Sequence, residues 1–389
     1  TSAFSTPSAT PNVSPAFVRL GTPASVLPNG WPAPLAAPVA GPSEDIEEPN
    51  ATSTAAKVVA RAPPLDLADL EFVAKLGSGG NGEIMLMQRK VDGRPLALKV
   101  IDRERSSAAE DRQHLLAERR LLEQLSHPFL VDFLGAAKDG KRLFLGMECV
   151  GGGDLQSYLQ ARRVLSPPEQ QLILGSVAVC LGFLHARGVL FRDLKKENLM
   201  VSHDGYLKLV DFGLAKEVGA TPSARTYTFC GSITSMAPER FDSDYGHSFA
   251  CDWWSLGILA FECMYSQTPY RMLGGAPAAS EAVDAVAEVI EKVVDEEFMP
   301  NLLDEMEAYP GSSPRAIKLM RGLLTFDPDE RLAEEQTVRS DAFFSGLDWE
   351  SMLSRTLPPH LTLKPTPPSY PFELATRMLT AAEGQGDKG

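Results

Sequence analysis

From about Leu70 onward, the chain contains short stretches of alternating apolar and polar residues. LEFVAKLG and EIMLMQRK flank a glycine-rich turn and predict a β-hairpin, and RPLALKVI predicts the next strand. A helix is predicted in SSAAEDRQHLLAERRLLEQL, where leucine and alanine recur at mostly helical spacing. HPFLVDFLGAAKDGKRLFLGMECV then predicts two more strands around an Asp-Gly turn. This part of the chain therefore predicts a small β-rich lobe with one main helix.

After Gly153 the apolar residues recur mainly at helical spacing. Four long helices are predicted, in PEQQLILGSVAVCLGFLHA, ACDWWSLGILAFECMYS, SEAVDAVAEVIEKVV and SPRAIKLMRGLL. One short strand pair interrupts them, around HDGYLKLVDFG. The sequence as a whole predicts an α+β, bilobal fold in which a larger, mostly helical C-lobe follows a β-rich N-lobe.

The two ends of the chain differ in composition from the predicted lobes. Residues 1–66 are rich in Pro, Ala, Ser and Thr and predict a disordered extension, because such a segment buries too little apolar surface to offset its ordering entropy. Residues 345–389 are again polar and proline-rich, and predict a tail that lies along the surface or hangs free. Between them we predict a folded domain over 67–344, with an N-lobe at 67–149 and a C-lobe at 150–344.

Composition and charge exclude several classes of function. The 389 residues are 44% hydrophobic and 23% charged, as in ordinary globular proteins. The net charge of −14 argues against nonspecific binding to nucleic acid or to an anionic membrane, which requires basic patches. The five cysteines form no C-x-x-C pattern, so neither a disulfide framework nor a zinc site is indicated. No apolar run is long enough for a membrane span. We therefore expect an intracellular protein, cytoplasmic and also nuclear.

The glycine-rich turn LGSGGNGEI places Gly77, Gly79 and Gly82 in a G-x-G-x-x-G pattern. Positions without a side chain allow backbone N–H groups to approach phosphate oxygens. Alone the pattern is weak, because it also opens dinucleotide sites and occurs in hairpin turns that bind nothing. A dinucleotide site requires a helix after the glycines, whereas EIMLMQ predicts a strand. The strand predicted after the glycines therefore favours a hairpin loop that covers the phosphates of a bound nucleotide.

Lys99 lies within the apolar strand LALKV. Such a lysine is usually an edge residue that faces water, but a buried one requires a partner of opposite charge. Glu118, in the middle of the following helix, is the candidate partner, although by itself it is equally consistent with a surface residue. A Lys99–Glu118 pair would hold the ammonium group for nucleotide phosphates.

FRDLKKEN, residues 191–198, is consistent with either a solvated turn or a catalytic loop. In the second interpretation Asp193 accepts a proton from a substrate hydroxyl, Lys195 neutralises the transferred phosphoryl group and Asn198 binds Mg²⁺. Asp211 in VDFG, eighteen positions further on, offers a carboxylate to the same metal. Each motif alone is weak, but their joint order, followed by MAPE at 236–239, favours the catalytic loop.

With these motifs, the chain resembles the eukaryotic protein kinases over about Leu70 to Phe344. Lys195, two positions after Asp193, is typical of the serine/threonine class. Phe191 before Arg192, RTYTFCGS at 225–232, CDWWSLG at 251–257 and AFFSGLDWESM at 342–352 are similar to the AGC group, close to the cyclic-AMP-dependent protein kinase catalytic subunit. The resemblance implies the bilobal protein kinase fold.

The resemblance also implies an ATP·Mg²⁺ site between the lobes. Asp193, Lys195 and Lys99 are the implied catalytic residues, and Asn198 and Asp211 the implied metal ligands. The nucleotide would contact the glycine loop, the strand around Lys99, the hinge and the catalytic loop; the implied residues are Leu76, Gly77, Ser78, Gly79, Gly80, Asn81, Gly82, Ile84, Ala97, Lys99, Glu118, Met147, Glu148, Val150, Asp154, Asn198 and Met200.

Regulation and substrate recognition are implied in the same way. Thr228 would be phosphorylated, and its phosphate held by Arg192, Lys216 and His114. Asp154, Glu197 and Glu262 would bind arginines that precede the acceptor Ser or Thr in protein substrates. A regulatory subunit, if used, would be a separate chain. Two architectural contacts are implied as well, Glu239 with Arg331 and His185 with Asp252.

Several departures from the family pattern stand out. Lys196 replaces the usual proline, and residues 232–236 read SITSM where the family has T-P-E-Y-x. Residues 271–314 are longer and more acidic than usual, and no F-x-x-F-type motif closes the tail. There are two alternatives to an active kinase. One is a catalytically dead kinase-like scaffold, which is disfavoured because Lys99, Asp193 and Asp211 are all present. The other is a dinucleotide-binding oxidoreductase, which is disfavoured by the strand after the glycine loop.

Overall fold

The structure is a computed structural model, and it describes most of the chain between Pro64 and Leu379. The described residues are 64–79, 82–102, 109–162, 164–221, 224–272, 282–358, 362–363, 374–375 and 377–379. Side chains 109–114 and 282–284 lie outside this description. The extension predicted to be disordered lies outside it up to residue 63, and so do most tail residues beyond 358.

In the part of the chain that the structure describes, the N-lobe is an antiparallel five-stranded sheet in the order β1-β2-β3-β5-β4, with one α-helix. The strands are β1 Leu70–Gly79, β2 Gly82–Arg89, β3 Pro95–Asp102, β4 Phe133–Lys138 and β5 Arg142–Glu148, and the helix is α1 Ala109–Gln124. The predicted hairpin, the third strand, the helix and the pair around the Asp-Gly turn are all confirmed. At that turn the Asp139 carboxylate accepts the N–H groups of Lys141 and Arg142, at 2.8 and 2.6 Å.

Helices dominate the C-lobe. They are α2 Leu155–Arg162, α3 Pro167–His185, α4 Ala250–Tyr265, α5 Pro269–Met272, α6 Ala282–Val294, α7 Phe298–Glu307, α8 Pro314–Leu323, α9 Glu335–Arg339 and α10 Trp349–Leu353. Two small strand pairs lie beside them, β6 Val189–Leu190 with β9 Lys216–Glu217, and β7 Leu199–Val201 with β8 Leu207–Leu209. The bilobal α+β prediction is therefore confirmed.

Helices α3 and α4 form the centre of the C-lobe core. A capping box starts α3, since the Ser166 N–H donates to the Glu169 carboxylate at 2.8 Å and a proline follows at the first helical position. Every residue of α4 from Ala250 to Cys263 is buried. A helix that is apolar on all sides is normally enclosed by its neighbours. Its few polar side chains therefore point into the protein, and two of them, Asp252 and Glu262, contact the catalytic loop.

The described residues of the C-terminal tail contact both lobes: Met352, Leu357 and Leu363 are buried in the C-lobe core, and the last described residues pack against the N-lobe. Leu374 and Ala375 lie beside β1 and β2, and Ala375 is fully buried in a cluster with Leu86 and Cys149. This contact forms without an F-x-x-F-type motif.

Among the described residues, no helix is both long enough and apolar enough to cross a membrane.

Candidate active site

The glycine loop joins β1 to β2, and its register pairs Gly77 with Ile84 and Gly79 with Gly82. Gly80 and Asn81, at the tip, lie outside the described residues. Gly82 has a φ of +136°, and a Cβ there would lie 2.3 Å from the Val100 carbonyl oxygen of β3. Glycine is thus required at this position by the backbone itself. The predicted hairpin geometry, with a strand and no helix after the glycines, is confirmed.

Lys99 connects the two lobes through an ion-pair network in which Lys99 and Glu118 are buried and Asp211 is partly exposed. Its Nζ donates to Glu118 Oε1 at 2.6 Å and to Asp211 Oδ1 at 2.9 Å. Burial lowers the pKa of Lys99, but the Asp211 and Glu118 carboxylates outweigh it, so the net pKa lies above the ordinary lysine value. The Lys99 ammonium lowers the pKa of Asp211 in turn, against the opposing effect of burial. Both groups are therefore charged at neutral pH.

The catalytic loop brings Asp193, Lys195 and Asn198 together. Asp193 Oδ2 lies 2.9 Å from Lys195 Nζ and accepts a hydrogen bond from Asn198 Nδ2, also at 2.9 Å. The second oxygen, Oδ1, accepts from the Ser232 hydroxyl at 3.0 Å. Ser232 in turn accepts from Lys195 at 2.8 Å. Ser232 was missed by sequence reasoning, although it opens the SITSM departure directly after Gly231.

Two site residues have backbone conformations that are rare outside glycine. Arg192 has a φ of 68° and Asp211 a φ of 56°, and a side chain in this region costs about 1 kcal/mol or more. The Asp252 carboxylate holds the first of them in place, because it accepts the N–H groups of Phe191 at 2.9 Å and Arg192 at 2.8 Å. His185 contacts the same carboxylate at 2.9 Å. The implied His185–Asp252 brace is therefore present.

Arg240 adds a contact that the sequence did not suggest. It is buried, and its Nη1 donates to the Arg192 carbonyl at 2.8 Å, while Nη2 donates to the carbonyl of Cys230. Gly231 has a φ of +101°, and a Cβ there would lie 2.7 Å from the same Arg192 carbonyl. Arg240 and Gly231 therefore hold the activation segment, the part of the chain between the DFG motif at 211–213 and Glu239, against the catalytic loop next to Asp193.

A buried lysine of the C-lobe contacts the hinge, the segment around residues 147–150 that joins the lobes. Lys208 of β8 donates to the Leu130 carbonyl at 3.0 Å and pairs with the Glu148 carboxylate at 2.6 Å. In β3 and β5, Ala97 pairs with Met147, which is buried. Lys208 was not predicted; its position in LKL suggested only strand structure. It fixes the hinge residue Glu148 against the C-lobe.

Hard oxygen ligands are available where a divalent cation is implied. The Asn198 amide nitrogen donates to the Asp193 carbonyl at 2.8 Å as well as to its carboxylate, which leaves the amide oxygen for a metal. Asp211 uses Oδ1 for Lys99 and for the Gly213 N–H, and this leaves Oδ2. The two donors fit the oxygen preference of Mg²⁺.

Positive charge concentrates beside the activation segment. Lys216 Nζ donates to the hydroxyl of buried Thr226 at 2.8 Å, whereas Thr228 is exposed. Arg192 donates from Nε to the Leu214 carbonyl at 2.7 Å, and its Nη1 is buried without a hydrogen-bond partner. The pKa of His247 is lowered to about 3, first by burial and then by the positive charges of Arg240 and Arg192. His114 belongs to α1, but its side chain lies outside the described part.

The three implied substrate-binding acids differ in their surroundings. Asp154 accepts the Ser157 N–H at the start of α2 at 2.7 Å, and Glu197 is exposed. Glu262 is buried on α4 and forms an ion pair with Lys196, the residue that replaces the family's proline. Sequence reasoning missed this pair, because Lys196 was considered only as a replacement for the family's proline and not as a partner for Glu262.

The comparisons with known proteins all match protein kinases. The profile described as protein kinase domain matches residues 70–343. RAC-beta serine/threonine-protein kinase A from Xenopus laevis is 33% identical over 320 residues, which are 81% of this chain and 60% of that relative. Protein kinase C zeta type from Oryctolagus cuniculus is 34% identical over 303 residues, 76% of this chain and 49% of that relative. The cAMP-dependent protein kinase, catalytic subunit-like, from Caenorhabditis elegans is 34% identical over 304 residues, 77% of this chain and 69% of that relative. The chain thus spans about 60% of the length of the RAC-beta relative.

Proposed function

Because the chain belongs to the protein kinase family, and within it to the serine/threonine kinases of the AGC group, we propose that it transfers the γ-phosphoryl group of ATP to Ser and Thr hydroxyls of protein substrates. One observation carries this proposal. The Lys99 ammonium bridges the Glu118 and Asp211 carboxylates, and the Asp193 carboxylate lies beside Lys195 and Asn198.

Asp193 is the proposed proton acceptor. The substrate hydroxyl donates its proton to the Asp193 carboxylate while its oxygen forms a bond to the γ-phosphorus, and the bond from that phosphorus to the bridging oxygen of ADP breaks. Lys195, 2.9 Å from Asp193, lies where an ammonium offsets negative charge on the transferred group. Ser232, bonded to both residues, orients them.

The nucleotide would be held from three sides. The glycine loop would cover its phosphates, the hinge would contact adenine through the backbone at 148 and 150, and Lys99 would contact the α- and β-phosphates. Asn198 and Asp211 would hold Mg²⁺, which when bound offsets the charge of the phosphates. Lys99 remains ionised for this role, since its carboxylate neighbours raise its pKa.

Replacing Lys99 by methionine tests the proposal. We expect transfer of radiolabel from ATP to a serine peptide with upstream arginines to fall about 100-fold, because one preorganised charge at the phosphates is lost. The matched control is Lys138→Met, which removes an exposed lysine from β4 of the same lobe. A peptide with tyrosine as its only acceptor should stay unlabelled.

Absence of labelling with any Ser or Thr peptide, by wild-type protein that binds ATP, would refute the proposal and favour the kinase-like scaffold.

We further propose that phosphorylation of Thr228 activates the enzyme. The proposal is supported by the cationic surroundings of the activation segment: Arg192 has a buried N–H group without a partner, and burial together with Arg192 lowers the pKa of Lys216. A dianionic phosphate would satisfy these groups through charge-assisted hydrogen bonds.

For Thr228→Ala we expect kcat/KM to decrease about 10-fold or more, because each lost bond of this kind is worth about 1.5–3 kcal/mol. Phosphatase treatment should reduce wild-type activity to the same level and leave the variant unchanged. Thr337→Ala, at an exposed position of α9, is the control. Fragment-ion mass spectrometry distinguishes Thr228 from Thr226, and phosphate on Thr226 alone would contradict the assignment.

A basic sequence before the acceptor is the proposed substrate context. It is supported by the acidic side chains of Asp154 and Glu197 at the catalytic loop, whereas the third implied acid, Glu262, is paired with Lys196. Arginine pairs with carboxylates through two parallel hydrogen bonds, so these side chains suit arginine better than lysine.

A further inference from the structure

Lys196 and Glu262 form an ion pair at the edge of the catalytic loop. Lys196 lies three residues after Asp193 and begins the 3₁₀ turn Lys196–Asn198, and its Nζ contacts Glu262 Oε1. The Glu262 side chain is 7% exposed and that of Lys196 is 21% exposed. The pair therefore lies mostly inside the protein, with the lysine on the outer side.

Lys196 supplies the nearby positive charge that Glu262 needs. Burial raises the pKa of Glu262, and the neighbouring Glu197 raises it further; the Lys196 ammonium opposes both effects. A buried carboxylate is costly unless a cation accompanies it. In this chain the cation is part of the catalytic loop.

We propose that Lys196 is a specificity-determining residue, whose ammonium occupies the Glu262 carboxylate and so removes the requirement for a substrate arginine at that position. The inference rests on the proposed kinase function and specifies its substrate class. The preferred substrates are Ser or Thr peptides with a basic residue facing Glu197 and Asp154 and an uncharged residue facing Glu262.

The physical reason is competition at a single buried carboxylate. Lys196 is attached to the same fold, so its effective concentration at Glu262 far exceeds that of a peptide in solution. A substrate guanidinium would have to displace it and leave the ammonium without its partner. Glu197 is exposed, and Asp154 is half-buried with its carboxylate accepting hydrogen bonds from Ser157 of its own turn, so both stay accessible to a substrate.

Two substitutions remove the ammonium with little change to the backbone. Lys196→Met keeps most of the side-chain stem. Lys196→Pro suits the backbone, because position 196 begins a 3₁₀ turn and Lys195 before it is extended, with φ −161° and ψ 161°. Lys318→Met, at an exposed position of α8, is the control with the same charge change.

The experiment uses the full chain and a set of serine peptides in which one arginine is moved through the five positions before the acceptor. For wild-type protein we expect a weak dependence of kcat/KM on arginine at every position that Glu262 faces. For Lys196→Met and Lys196→Pro we expect about a 10-fold or larger gain for arginine at one such position, the size of one charge-assisted pair. Adding Glu262→Gln to either variant should abolish the gain, and Lys318→Met should match wild type.

The outcomes separate this inference from the proposed function. If all proteins phosphorylate the peptides but their arginine profiles are identical, Lys196 does not set specificity, although the kinase function stands. If no protein phosphorylates any peptide, the proposed function fails. Binding of fluorescent peptides with alanine at the acceptor position then tests the inference alone, since a Lys196 variant that gains no affinity for the arginine peptide refutes it.

Discussion

Replacing Asp193 by alanine is expected to lower kcat by about 10²–10⁴-fold, the usual contribution of a positioned general base. The carboxylate lies 2.9 Å from both Lys195 Nζ and Asn198 Nδ2, so its loss removes the proton acceptor and the group that aligns its neighbours. Affinity for ATP should change little, because Lys99, Glu118 and Asp211 form a separate network. Radiolabel transfer and binding of a fluorescent ATP analogue measure the two quantities.

Ser232→Ala provides a graded comparison for this prediction. It removes one hydrogen bond to Asp193 Oδ1 and one to Lys195, and leaves both charged groups in place. We expect a loss clearly smaller than that of Asp193→Ala. Equal turnover of Asp193→Ala and wild-type protein would mean that another group accepts the proton.

Replacing Arg331 by methionine is expected to destabilise the protein by about 3–5 kcal/mol, the usual cost of removing one partner of a buried ion pair. Arg331 Nη1 and Nη2 contact the two Glu239 oxygens at 2.7 and 3.0 Å, and its side chain is fully buried. Its N–H groups also donate to the carbonyls of Thr325, Ala250 and Phe326. The substitution therefore leaves one buried carboxylate and three carbonyl groups without this donor.

Chemical denaturation of Arg331→Met and wild-type protein measures the difference. Arg339→Met is the matched control, since it breaks an Arg–Glu pair with Glu335 whose side chains are about one-third exposed. A pair of this kind contributes at most about 1 kcal/mol. Similar losses in the two variants would show that burial does not govern the Glu239–Arg331 pair.

The elements that the sequence predicted best have long, regular patterns. The glycine hairpin, β3 and the helices α3 and α4 each contain enough residues to show a period, and their composition agrees with it. Helix α2, with eight residues, and helices α9 and α10, with five each, were not predicted, because one or two turns show no clear period.

Some contacts of the candidate site could be predicted from the sequence and others could not. Lys99 and Glu118 were predicted to meet because a buried ammonium requires a carboxylate, and the structure brings them together at 2.6 Å. The contacts of Lys208 and Arg240 with backbone carbonyls were not predictable, since any residue offers such an acceptor. The Lys196–Glu262 pair depends on how α4 is oriented against the catalytic loop, and only tertiary structure determines that.

The position of the C-terminal tail has a consequence for ligand chemistry at the hinge. Cys149 lies between the backbone groups expected to bind adenine, and Ala375 packs in the same buried cluster. Burial raises the pKa of the Cys149 thiol to about 12, and the Glu148 carboxylate adds to the effect. Only the thiolate is a strong nucleophile. An electrophilic inhibitor directed at the adenine pocket would therefore meet this sulfur mainly as the protonated thiol, and we expect it to react slowly there.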